Sequence, residues 1–267
     1  MIDHSPPRIE AAPPKAAIPG ASNTRGDLCQ LLEWDTQFFG VPIGSIIPHR
    51  LTEASVREAL LWAVANKTRC LYMLADSEDC STLRLAEVNK FQLVDIRLTL
   101  ARNNIHSRTP PFDKLIRHVK AEDIPSLREI AGVSHRDSRF YSDPNFPLPL
   151  VDELYRTWIE KSCLGYAVAV LVAEHEGRAV GYITCHLDGQ GIGRIGLLGV
   201  SSVAQGQGIG TKLVASALGW FEAQAVGKVT VVTQGRNVSA QRLYQRCGFI
   251  TESLQLWYHR WFSATGE

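Results

Sequence analysis

The apolar positions along the chain follow two periods, and the switches between them outline a mixed α/β protein. Short apolar or alternating runs predict strands, whereas apolar residues three and four apart predict helices. LCQLLEW (28–34) and GVPIGSIIP (40–48) read as short strands. Residues 52–66 predict a helix with Ala59, Leu60, Ala63 and Val64 on one face, followed by a strand at 70–75, a helix at 81–89 and a strand at 91–101. The Pro-containing HSRTPPFD (106–113) marks a boundary.

A second series follows. Residues 115–119 predict a strand, and AEDIPSLREIAG (121–132) a helix with Glu122 or Asp123 near its start and Pro125 in its first turn. HRDSRFYSDPNFPLP (135–149) reads as a loop and 152–163 as a helix. A hairpin spans 166–173 and 179–187 across a turn at Gly177. Then come a strand at 193–200, a helix at 208–224, a strand at 228–233, a helix at 238–247 and a strand at 254–261. The first 26 residues are rich in Pro and Ala, cannot bury much surface and are expected to form a disordered arm. The expected division is that arm, an N-terminal half at 27–105 and a second domain at 113–262.

Composition narrows the possibilities. The 267 residues suffice for a full core, and 45% hydrophobic with 21% charged residues describes an ordinary soluble protein. A net charge of +1 generates no field to attract nucleic acid or an anionic membrane, so an anionic ligand must be held by local features. No apolar run reaches the roughly 20 residues of a membrane span. The six cysteines (Cys29, Cys70, Cys80, Cys163, Cys185, Cys247) show no metal-ligand spacing and read as reduced thiols of a cytoplasmic protein. No metal is expected.

The chain carries an internal echo. LRLAEVNKFQLVDIRL (83–98) aligns without gaps on QRLYQRCGFITESLQL (241–256), at a constant offset of 158 residues. Arg84, Leu85 and Phe91 meet Arg242, Leu243 and Phe249, whereas Ala86 stands for Tyr244 and Lys90 for Gly248. The first half also lacks a glycine-rich turn. It is expected to be a degenerate copy packed beside a working one, with chance similarity of two helix–strand units as the alternative.

The most informative stretch is LLGVSSVAQGQGIGTKLVASALGWF (197–221), a strand, a glycine-rich turn and a helix with Leu213, Ala217 and Phe221 along one stripe. Gly206, Gly208 and Gly210 allow close backbone approach. Their amides and the helix N-terminus can hold a phosphate. Taken alone, such glycines can equally serve only a tight turn. No GxxxxGK[ST] string exists, and Thr211 stands where a dinucleotide fingerprint needs its third glycine.

Gln205-Gly206-Gln207-Gly208-Ile209-Gly210 resembles the Q/R-x-x-G-x-G/A acyl-CoA loop of the GNAT superfamily of N-acetyltransferases. The match continues through the strand KVTVVT into N-x-x-A-x-x-L-Y-x-x-x-G-F at 237–249, and the element order from 115 to 261 is similar over about 150 residues. The resemblance implies a GNAT fold with a truncated N-terminal half and acetyl-CoA between the strands at 193–200 and 228–233. It implies that Leu198, Gly199 and Val200 line the pantetheine arm, that Gln205 to Thr211 hold the pyrophosphate, and that Asn237 bonds the arm. It further implies direct attack of an amine on the thioester, with Tyr244 protonating the leaving thiolate. Tyr244 follows Asn237 by two helical turns and so shares its face; outside the motif it would read as a core tyrosine. The base that takes the amine's proton is left open among His135, Asp137, His186 and water.

Arg136 and Arg139, beside Phe140 and Tyr141, can pair a phosphate and stack a ring, or belong to a Pro-fixed surface loop whose aromatics pack inward. LLEWDTQFFGVPIG, the D-I-P-x-L-R helix, the S-R-F segment and R-I-G-L-L resemble GNAT enzymes that acetylate a dTDP-linked 4-amino-4,6-dideoxygalactose. The implied partner is a small-molecule amine on a nucleotide sugar; other amines, or a non-catalytic acyl-CoA-binding module, are the alternatives. Strands at 254–261 and 29–34, taken as edges, leave a homodimer open.

Overall fold

The computed structural model describes residues 28–103, 113–188 and 191–263. The expected arm and nearly all of the 106–113 boundary lie outside them.

The N-terminal half runs β1 (Cys29–Leu31), α1 (Glu33–Phe39), β2 (Ile43–Ile46), α2 (Glu53–Ala65), β3 (Cys70–Asp76), α3 (Cys80–Val88) and β4 (Gln92–Asn103). Thr52 and Ser55 close a reciprocal cap at the start of α2, and Asp79 caps α3 through the Ser81 amide. Two expectations change here. LCQLLEW is a strand for three residues only, after which EWDTQFF turns helical, with Trp34 stacked on Phe38 one turn later at 5.0 Å and Gly40 ending the helix. On α2 the buried positions are Val56, Ala59 and Ala63, while Val64 is 55% exposed.

The second half runs β5 (Ile116–His118), α4 (Ile124–Ser134), α5 (Arg139–Ser142), α6 (Leu148–Lys161), β6 (Ala169–His175), β7 (Arg178–Leu187), β8 (Ile192–Val200), α7 (Ile209–Ala223), β9 (Lys228–Gln234), α8 (Val238–Arg246) and β10 (Ile250–Trp261). Residues 135–149 are not all loop: α5 is one helical turn, and α6 begins at Leu148, with proline tolerated in its first turn.

Among the described residues, ten strands form one mixed sheet in the order β1-β2-β3-β10-β4-β9-β8-β7-β6-β5. β10, expected at an edge, lies in the middle between β3 and β4, because its partners for pairing come from the other half of the chain. Of the two strands that left dimerisation open, only β1 lies at an edge. Helices α7 and α8 pack on one face, where Leu213, Ala217 and Phe221 meet Val229, Val231 and Ile195. On the other face, α1, α4, α5 and α6 cover Tyr72, Val170, Val172, Tyr182 and Trp257.

The internal echo has a structural counterpart. β3 and β9, and α3 and α8, begin and end at the same 158-residue offset as the sequence match. β4 pairs antiparallel with β10 around Arg97↔Gln255, flanked by Leu98↔Leu254 and Ile96↔Leu256. Arg97 thus faces its own counterpart, and the pairs on either side of it are exchanged, Leu98 meeting the counterpart of Ile96 and Ile96 that of Leu98. The order β2-β3-β10-β4-β9-β8 reads the same from either end under that equivalence, and β2·β3 and β8·β9 are both parallel. The fold is GNAT-like in its second half, with a shortened copy joined to it by exchange of the last strands.

Candidate active site

The site begins where two parallel strands separate. β8 and β9 pair from Ile192↔Lys228 to Ile195↔Val231 and no further. Beyond that point β9 stays on β4 as far as Gln234↔Arg97, while β8 stays on β7 as far as Val200↔Gly181. A bulge accompanies the parting. Ile183↔Leu198 and Cys185↔Ile195 leave Gly196 and Leu197 opposite the single Thr184, whose Oγ1 accepts from the Leu197 amide at 2.8 Å. An extra residue bends its strand. Gly196 has no alternative there, since a Cβ would lie 2.6 Å from His186 Nε2. Leu198, Gly199 and Val200 form the free-running end of β8.

The glycine loop follows directly. Gln205 and Gln207 are exposed and fold their side-chain amides back onto the Val200 and Val203 carbonyls, each at 3.1 Å. Gly206 and Gly208 both have φ +76°, a left-handed conformation that L side chains rarely adopt, and no protein atom lies near the position of a Cβ at either. Gly208 is the N-cap of α7, and no side chain caps the amides of its first turn, which includes Ile209 and Thr211. Uncapped donors at a helix start, approached over bare glycines, fit a diphosphate such as that of acetyl-CoA. Gly210 serves packing instead: a Cβ there would already touch Leu243 of α8 at 3.1 Å.

On α8, Asn237 Oδ1 accepts from the Ala240 amide at 3.0 Å, so the oxygen caps the helix and its amide nitrogen is left for other contacts. Tyr244 is 5% exposed and packs edge-to-face on Phe249 at 5.8 Å. Burial, reinforced by Cys247, pushes its phenol well above the usual value, and it is protonated at neutral pH.

The segment singled out for the acceptor divides. Arg136 pairs with Asp152 at 3.2 Å and lies over the Tyr141 ring at 4.7 Å; Tyr141 Oη donates to Asp152 Oδ1 at 2.5 Å. Phe140 is 4% exposed and stacks on Phe39 at 5.6 Å, so its ring belongs to the core and offers no face for stacking. Arg139 lies flat among the rings of Tyr72 (4.2 Å), Trp257 (4.2 Å) and Phe140 (4.4 Å), with Nη1 2.9 Å from His259 Nε2. His259 Nδ1 lies 2.6 Å from Asp143 Oδ2, which also accepts from Trp261 Nε1 at 2.8 Å. Burial holds His259 down to about 4, so the imidazole is neutral, giving to Asp143 and receiving from Arg139.

Of the candidate bases, His135 stacks on Tyr155 at 4.5 Å with Nε2 3.0 Å from Tyr182 Oη, and His186 lies opposite Arg194 with Nε2 3.3 Å from Thr184 Oγ1. Burial holds both imidazoles down to about 4. Asp137, half-buried in the turn before α5, joins neither group.

Sequence reasoning missed Arg97 of β4 and Arg194 of β8. Alternation within their strands set each on the face opposite an apolar neighbour, Leu98 or Ile195. That this face would overlook the parted strands depends on pairing with β9, which local pattern does not carry. All six cysteines are unbridged. Among the described residues, no helix is long and apolar enough to cross a membrane and no cluster of potential metal ligands occurs.

A sheet parted beside a glycine-bearing helix start defines a class, and comparison with known proteins agrees. Residues 130–249 match the Acetyltransferase (GNAT) family. Over 163 residues it is 31% identical to the spore coat polysaccharide biosynthesis protein SpsD of Bacillus subtilis (strain 168), covering 59% of this chain and 54% of that protein. Over 233 residues it is 28% identical to the dTDP-fucosamine acetyltransferase of Escherichia coli O6:H1, covering 86% of this chain and 96% of that one. It therefore spans about half the length of the first relative and nearly all of the second. A GCN5-related N-acetyltransferase from Sphaerobacter thermophilus shares the fold with a TM-score of 0.60 at 16% identity, over 87% of this chain and 76% of that one.

Proposed function

We propose that this protein transfers an acetyl group from acetyl-CoA to the amino group of a nucleotide-linked amino sugar of the dTDP-4-amino-4,6-dideoxygalactose type. The observation that carries the reading is the parting of β8 from β9 beyond Ile195, with the uncapped start of α7 following the free end of β8. The relative named for dTDP-fucosamine, matched along nearly its whole length, supports the choice of acceptor.

Bound acetyl-CoA supplies the acetyl thioester. The amides of Gly206 to Thr211 hold its diphosphate, the end of β8 at Leu198, Gly199 and Val200 lines the pantetheine arm, and the Asn237 amide bonds that arm. The acceptor nitrogen bonds to the acetyl carbon as the carbon–sulfur bond breaks. A thiol has a reference pKa of about 8.5, so a proton given to the departing sulfur lowers the barrier, typically by about 10²–10⁴-fold in rate. Tyr244 Oη holds that proton at neutral pH, as any phenol with a reference pKa of about 10 does, and burial moves it further up. The amine's own proton leaves to a neutral imidazole or to water. The proposed compartment is the cytoplasm, which suits six unbridged thiols.

Thiol release from acetyl-CoA with a panel of amines tests the reading. Turnover of a dTDP-4-amino sugar is expected. Turnover confined to aminoglycosides, polyamines or peptide N-termini would replace the acceptor, and cofactor binding without turnover of any amine would refute catalysis.

A further inference from the structure

Two arginines overlook the parted strands without an ion pair to any carboxylate among the described residues. Arg97 stands opposite Gln234 and Arg194 opposite Thr230, so they flank β9 from either side. Their chain neighbours Leu98 and Ile195 point into the α7 core, which turns both guanidinium groups to the face shared by Tyr182, Gln255 and Trp257. Neither forms a salt bridge among the described residues. Arg97 Nη1 donates to the neutral Oε1 of Gln255 at 2.6 Å, and Gln255 is held in that orientation by its own donation to Asp76 at 3.1 Å. The acid closest along β4, Asp95, feels Arg236 and Arg139 instead, and Asp188 acts on Arg194 only at longer range.

Such a pair is unfavourable in the protein alone. Burial lowers the pKa of both groups, and for Arg97 the nearby charge of Arg194 lowers it further. Half-buried like charges facing one cleft are the arrangement that an anion relieves, and two guanidinium forks match phosphate oxygens in geometry as well as charge. The diphosphate held by the glycine loop is a different anion. Arg194 precedes Val200 by six residues, about 20 Å along an extended strand.

We infer that Arg97 and Arg194 together bind a phosphate or diphosphate carried by the acceptor, so the shortened N-terminal half supplies one of the two side chains that recognise it. That the anion belongs to the acceptor rests on the acetyl-transfer reading above; the anion site itself rests on the two arginines. On this basis the N-terminal half is part of the active site and not only a brace for it.

The test is calorimetric titration of dTDP, and separately of inorganic pyrophosphate, into protein saturated with CoA, so that the glycine loop is already filled. Wild type is expected to bind dTDP. Arg97→Gln and Arg194→Gln should each weaken it tenfold or more while changing CoA affinity less than twofold. Arg97→Lys and Arg194→Lys, which keep charge and lose the fork, should fall between and serve where a Gln variant fails to fold. Absence of dTDP and pyrophosphate binding to the CoA-saturated protein, or equal binding by the Gln variants, would overturn the inference. Steady-state rates separate it from the broader reading. Acetylation of a dTDP-amino sugar with an unchanged acceptor KM in both Gln variants would refute the arginine site and leave the activity standing. Binding of dTDP through the arginines with no amino sugar turned over would do the reverse.

Discussion

Arg97 donates a 2.6 Å hydrogen bond to Gln255, the residue that occupies its own place in the second copy of the internal repeat. The contact sits on the local twofold axis between the halves, where β4 and β10 cross-pair. The six strands from β2 to β8 are arranged symmetrically about it, with unlike residues at the centre. The glycine loop and the tyrosine of α8 are present on one side only.

Tyr244→Phe removes one hydroxyl from a buried ring and little packing. The expected result is a loss in kcat of tenfold or more, with the KM for acetyl-CoA within twofold of wild type. Wild-type turnover in this variant would take the phenol out of the reaction.

Gly208→Val places a branched side chain on a backbone at φ +76°, over the open side of the loop. Strain of about 1–2 kcal/mol is expected in urea unfolding, together with a sharp rise in the Kd for CoA. Gly206→Val has the same backbone conformation and should behave alike. Unchanged CoA affinity in both would dissociate the loop from cofactor binding.

Asp143 is 2% exposed and accepts from His259, Trp261 and the Asn145 amide. Burial works against its charge, but these hydrogen bonds outweigh it and hold the carboxyl at about 2. Asp143→Ala leaves those donors unpaired and should cost about 3–5 kcal/mol by denaturant unfolding. A loss below about 1 kcal/mol would mean that the Arg139–His259–Asp143 chain contributes little to holding α5 against β10.

Asp95 is 5% exposed, and burial raises its carboxyl from 3.8 to about 6, against the pull of the Ile96 amide and of Arg236 and Arg139. The folded protein therefore keeps this proton to a higher pH than the unfolded chain does. The resulting destabilisation is absent below pH 4, grows between pH 4 and 6, and is complete above 6. Asp95→Asn should accordingly raise stability at pH 7.5 by about 2–3 kcal/mol and leave it unchanged near pH 4. Thermal melts at the two pH values would show it, and a gain of equal size at both would reject the titration.

Features written into short stretches of sequence were legible. The helix beginning at Thr52, the turn at Gly177, the stripe Leu213–Ala217–Phe221 and the glycine start of α7 each depend on residues within a few positions. The helix α1 was overlooked although Gly40 and the Trp34–Phe38 spacing announced it, because its apolar residues also suit a strand. Phe140 and Arg139 looked available to a ligand, since composition cannot show that Phe39, Tyr72 and Trp257 converge on them from other elements.

The chain alone determined most of its elements, its repeat and the loop suited to a diphosphate, because backbone conformation, capping and periodicity act over a few residues. Only the tertiary structure decided that β10 lies mid-sheet, that β8 leaves β9 after Ile195, and that Arg97 and Arg194 overlook the same cleft. Those relations join strands distant in sequence, and pairing across the sheet, with the burial that follows from it, selects which face each side chain presents.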